Sequence, residues 1–172
     1  MMQFGHLWVI AFVLLGAPVF QPGLGGPWLF AQSQDGGEAT GGLTTSEKEI
    51  LHKAKDPDEQ VKVYLDIASE RLKIILSSSR KGEDGNTSKA VTGFRTAVGE
   101  AGETVAKGQA EGKSMRRSLA AILKATKKYN LSLVQALEKV PEDQREHIQS
   151  AYEVSQRVQD EVALQLEKVD RK

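Results

Sequence analysis

"SMRRSLAAILKATKKYNLSLVQALEKVP", residues 114–141, decides the fold. Its buryable residues recur at Met115, Leu119, Ile122, Thr126, Tyr129, Leu133, Ala136 and Val140, flanked by Leu123 and Leu137. Spacings that alternate between four and three put such residues on one face of an α-helix, whereas a strand would need strict alternation. Pro141 ends the run, because proline has no backbone N–H to donate and its ring clashes with the preceding turn. A helix this one-sided must bury its stripe against other helices.

The same rhythm appears on both sides of this stretch. Downstream, "PEDQ" at 141 opens a last helix that reaches about Lys168, with Ile148, Ala151, Ser155, Val158, Val162 and Val169 in its row, plus Tyr152 and Leu166. Upstream, Asp56 and Pro57 start a long helix to about Ser79. Asp56 suits the N-cap, Pro57 the first helical position, and Asp58 and Glu59 complement the positive helix end. Its row is Val61, Leu65, Ala68, Leu72 and Ile75, widened by Tyr64, Ile67 and Leu76. After a turn at residues 80–88, Thr87 or Ser88 is the expected cap of a third helix with Val91, Phe94, Val98, Ala101 and Val105 in its row. Gly93, Gly99 and Gly102 each cost about 1 kcal/mol against alanine there. Gly102 lies beside the row, where a neighbour can approach closely. Gly93 and Gly99 lie off it, so this helix reads as the least secure, with a break from Gly108 to Ser114. A short first helix is expected from "TTSEKEILHKA", with Ser46 and Glu49 as its capping box.

Four long amphipathic helices with short connections predict an all-α chain: an up-down antiparallel four-helix bundle with a short extra N-terminal helix, over residues 44–170. Strict heptads also suit coiled coils, so the alternative is a helical hairpin completed by dimerisation, a homo-oligomer.

The first 34 residues contain no Asp, Glu, Lys or Arg, so the leader is a different material from the rest. Leu7 to Leu15 has the length and apolarity of a signal-peptide core, and Gly16, Ala17 and Pro18 break it. Ala31 supplies the small residue before a cut, which Ala17 does poorly with Pro18 next to it. The expectation is a signal peptide over residues 1–31, cleaved after Ala31, then a flexible Gly/Ser/Gln-rich linker over 32–43. Against it stand an n-region without Lys or Arg and a long gap between Leu15 and Ala31. The rival is an uncleaved anchor, although Leu7 to Phe20 falls short of the ~20 apolar residues of a spanning helix and already contains Pro18. The chain has no cysteine, so it can form neither a disulfide nor a thiolate metal site, nor be lipid-anchored through a cysteine at the cut. With no twin-arginine pair before the leader core, the expected route is general secretion, to the periplasm or the outside, with membrane attachment only if the leader is retained.

Cleavage would remove both tryptophans, every phenylalanine but Phe94 and every methionine but Met115. Stacking platforms for sugars or single-stranded nucleic acid need exposed aromatic faces, and Phe94, Tyr64, Tyr129 and Tyr152 leave little for one. A formal net charge of +0 gives no global bias toward nucleic acid either.

Glu49 and His52 form the chain's Glu-x-x-His motif, but a carboxylate-bridged dinuclear site needs two such motifs and two further glutamates on long core helices. His147 is the other histidine beyond the leader. These three are weak metal candidates, and no metal or other cofactor is expected. Asp143, His147 and Ser150 share a helix face, yet a catalytic triad needs its nucleophile at a strained turn or oxyanion site, so no catalytic residue is assigned and the chain is not expected to be an enzyme. The stronger feature is electrostatic. No acidic residue lies between Glu111 and Glu138, while Lys113, Arg117, Lys124 and Lys128 recur at four, seven and four along one helical face. Such a face can bind an anionic partner: a lipid headgroup, an envelope polymer or an acidic envelope protein. Alternatively, Glu100, Glu103, Glu153 or Asp160 pair with it inside the bundle. The leading expectation is a non-enzymatic interaction or scaffold module of the cell envelope; the alternative is a periplasmic ligand- or metal-binding bundle that senses or buffers a small species.

Overall fold

The computed structural model describes residues 42–171; the expected signal peptide, and the linker up to residue 41, lie outside them. Among the described residues the chain is all-helical: α1 (Thr45–Lys53), α2 (Pro57–Lys81), α3 (Asp84–Ala110), α4 (Arg116–Leu137) and α5 (Glu142–Asp170). None of these helices is long and apolar enough to cross a membrane.

Helix ends follow local chemistry, and several differ from the sequence expectation. The capping box of α1 forms two residues early: the Glu47 amide donates to Thr44 Oγ1 at 3.2 Å and the Thr44 amide to Glu47 Oε2 at 2.7 Å. Pro57 does open α2 after Asp56. Gly82, at φ +70°, closes α2 while the Glu83 amide reaches Ser78 O. Gly112, at φ +78°, closes α3 in the same way, with the Lys113 amide on Gly108 O. Both are the 6→1 closure that a left-handed glycine permits. Gly112 is therefore the stop signal of α3, and Gly108 stays helical and buried. Helix α3 starts at Asp84, ahead of the expected caps. The Thr87 hydroxyl is needed elsewhere: it donates back to Glu83 O at 3.0 Å and lies 2.9 Å from Ser78 Oγ in α2.

Helices α2 and α3 pack along each other, and so do α4 and α5. The pairing is antiparallel in both hairpins. In the first, Ser78 meets Thr87 near the turn and Arg71 lies over Gly93 further away. In the second, Asn130 Nδ2 donates to Gln159 Oε1 at 3.0 Å and Arg116 Nε to Asp170 Oδ1 at 2.7 Å. Between hairpins, α3 meets α5 and α2 meets α4, whereas α3 and α4 barely touch. Helices α2 and α4 run the same way: Ser118 donates to Asp58 near both starts, and further along Tyr129 OH donates to Leu65 O at 2.9 Å. Antiparallel neighbours thus hold within each hairpin and not across them.

The core contains Val61, Ala68, Ile75, Phe94, Val98, Leu119, Ile122, Leu133, Ile148, Val158 and Val162, all buried. Phe94 meets Tyr129 edge to face, with ring centroids 5.5 Å apart. This arrangement overturns the reading of α3 as the insecure helix. Held between α2 and α5, it buries residues around most of its circumference, Gly93 and Gly99 included. A Cβ on Gly93 would stand 2.7 Å from Arg71 Nε and 3.0 Å from Gly42 O. Gly42 and Leu43, read as the end of the linker, belong to the fold: Gly42 sits on α3 and Leu43 packs against the core.

Candidate functional site: the outer face of α4

Helix α4 turns Leu119, Ile122, Thr126, Tyr129, Leu133 and Ala136 into the bundle. Ser118 and Tyr129 fix its side toward α2, and Asn130 its side toward α5. The remaining arc is exposed and holds Arg117, Lys124, Lys127 and Lys128, with Ala120 and Ala121 between them. Two apolar side chains stand on the same arc: Leu131 is 62% exposed and Val134 40%. Leu131 lies one turn beyond Lys127 and Lys128, so they are neighbours on the helix surface.

The cations of this arc are not neutralised from within. Among the described residues, Arg117, Lys124, Lys127 and Lys128 make no ion pair. None of the acidic residues considered as internal partners forms an ion pair with this arc. Glu103 pairs with Lys107 at 3.7 Å, and Glu153 accepts from Gln149 at 3.0 Å. Glu100 sits beside Tyr64 and Glu103, where burial pushes its carboxyl above the usual range; Glu103 adds to that and Lys107 opposes it. Lys113 does not lie on α4 at all. It sits in the α3–α4 connection and pairs with Glu111 at 2.9 Å. The face is thus Arg117, Lys124 and Lys128 as read from the sequence, joined by Lys127 and by two apolar residues that the charge pattern alone had not singled out. The signal was there: Leu131 and Val134 fall outside the buried row.

No family model matches this chain, and no curated protein or solved structure does either.

Other sequence candidates are scattered. Glu49 and His52 are exposed on α1, far along the chain from His147 on α5. Among the described residues, no group of three or more His, Asp or Glu side chains is gathered to hold a metal ion. His147 Nε2 lies 2.8 Å from Asp84 Oδ1, so this histidine ties the start of α5 to the start of α3. Its partner is Asp84 and not Asp143, whose Oδ2 is 3.5 Å from Gln144 Nε2. Gln144 itself is fully buried, which the sequence had not suggested.

An open groove of about 490 Å³ runs between Thr44, Ile74, Lys89 and Ala90. Several of its polar groups are committed locally: Arg71 Nη2 to both Glu47 oxygens at 2.8 and 2.9 Å, Asn86 Nδ2 to Glu83 at 2.9 Å, and Thr92 Oγ1 to Ser88 O at 3.1 Å; among the described residues, Arg71 Nε is buried without a hydrogen-bond partner and Lys89 forms no ion pair. They do not converge on a ligand.

Proposed function

We propose that this protein is a non-enzymatic interaction module of the cell envelope, an up-down four-helix bundle of α2 to α5 with α1 appended, which presents the outer face of α4 to an anionic partner. The observation behind this reading is that four exposed cations without ion pairs among the described residues share one arc of α4, on a stretch with no acidic residue between Glu111 and Glu138. Unquenched charges of one sign on one face raise the local concentration of an oppositely charged partner and speed encounter. The uncharged leader, with its apolar core and Ala31, supports export to the periplasm or beyond.

Two experiments test the reading. On phosphocellulose at low salt the full chain is expected to be retained, and Arg117→Glu, Lys124→Glu and Lys128→Glu together to abolish retention, with thermal stability shifted by less than ~0.5 kcal/mol per site, as at other surface positions. Equal retention of both proteins sinks the anionic-partner reading. Fractionation of cells expressing the full gene is expected to find the protein in the periplasm, the medium or the membrane; recovery in the cytoplasm alone removes the envelope assignment.

A further inference from the structure

We infer that the partner of this face is a lipid bilayer carrying acidic headgroups, on which α4 lies flat while Leu131 and Val134 enter the interfacial zone. The inference rests on the face being an anionic docking surface, as read above, and adds the identity of what docks. Three features of the face favour lipid over other polyanions. First, its unpaired charge is mostly lysine, with no aromatic residue among the exposed positions of α4; of the two exposed arginines, Arg116 is paired with Asp170 and Arg117 is not. Protein-docking faces are depleted in lysine and concentrate their energy in Trp, Tyr and Arg. Second, apolar side chains stand among the cations and point the same way, with Leu131 62% exposed. A soluble polymer of phosphates or carboxylates has nothing to offer a leucine, whereas the boundary between headgroups and acyl chains does. Third, Ala120 and Ala121 are exposed between the cations and keep the profile of the face low. Long lysine stems can then lie along the surface with their ammonium groups among the headgroups.

Arg117 to Val134 covers about 25 Å of helix at 1.5 Å per residue, enough to contact several headgroups at once. The buried row of α4 remains in the bundle throughout, so docking needs no unfolding. Two modest apolar side chains and four cations make a reversible, salt-sensitive contact and not an anchor.

The chain has no cysteine, so Leu131→Cys gives a single site for an environment-sensitive fluorophore in the full protein. The probes are vesicles of phosphatidylcholine alone and of phosphatidylcholine with phosphatidylglycerol in equal parts. Expected is a blue shift on the mixed vesicles only, reversed by added salt, with partition falling roughly 25-fold when Lys124→Gln and Lys128→Gln are introduced, at about fivefold per cation. Salt reversal and the charge variants separate this contact from insertion of the leader, which is uncharged. If the fluorophore at position 131 shows no charge-dependent shift on mixed vesicles while phosphocellulose retention still depends on Arg117, Lys124 and Lys128, the lipid partner is overturned and the anionic docking face stands. If neither vesicles nor phosphocellulose distinguish the charge variants, both are overturned.

Discussion

Gly93 shows how much a single missing side chain can matter. An alanine there gains about 1 kcal/mol of helix propensity. Its Cβ, however, would meet Arg71 Nε at 2.7 Å and the Gly42 carbonyl oxygen at 3.0 Å. The guanidinium is held by Glu47 and cannot swing away freely. Gly93→Ala is therefore expected to destabilise by about 1–3 kcal/mol, the usual range for overpacking. Gly85→Ala, in the same helix with nothing near its Cβ position, is expected to stabilise by up to about 1 kcal/mol. Paired thermal melts check both. Glu100 offers a test of sign. Burial, then Glu103, raises its carboxyl pKa above the ordinary 4.5. The folded state thus keeps a proton that the unfolded chain has released, and stability falls as pH rises through that window. At neutral pH the penalty is fully present, so Glu100→Gln is expected to stabilise by a few tenths of a kcal/mol, since water screens this half-exposed site. Denaturant midpoints at neutral pH and near pH 4.5 should differ less in the variant than in the parent. A variant less stable at neutral pH contradicts the assignment.

At the scale of elements, α1 and α3 are opposites. Helix α1 has no buried residue and is held through its ends: Glu47 on Arg71, with Leu43 and Leu51 against the core. Arg71→Met is expected to speed hydrogen exchange in Thr45–Lys53 by tenfold or more, because a hydrogen bond between charged groups contributes about 1.5–3 kcal/mol. Exchange in α4 and α5 should remain unchanged. Periodicity made the long helices legible, since the rows through Val61, Phe94, Leu119 and Ile148 all enter the core. What sequence could not reveal is which helix lies in the middle. A glycine off the apolar row looks like a weakness until a second neighbour, here Arg71 with Gly42, covers it. The start of α3 was hidden for a related reason: Thr87 has the chemistry of a cap but serves as a buried tie to Ser78. The basic arc of α4 was legible as charge spacing, except that Lys113 leaves the helix, and the freedom of its charges depended on where the acids of α3 and α5 came to lie.

In the molecule as a whole, each hairpin is local in sequence and the two are joined by parallel contacts, α2 beside α4 and α3 beside α5. The most enclosed helix is also the one with the poorest intrinsic helicity. Gly93, Gly99, Gly102 and Gly108 all sit inside α3. Such a segment has little reason to be helical before a partner covers it, because nucleating a helix is costly and glycine adds to that cost at every step. Helices α4 and α5 contain no glycine and are joined by a short turn. Assembly is thus expected to have an order: the C-terminal hairpin forms first and becomes the template on which α3 winds. Kinetically, Ile122→Val should slow folding while leaving unfolding nearly unaltered, and Val98→Ala should mainly hasten unfolding. Chevron analysis showing the reverse would place the nucleus in α2 and α3. The tight fit of the central helix would then be a cause of the fold's formation, whereas the glycines mark it as the last step, a keystone set once the arch is standing.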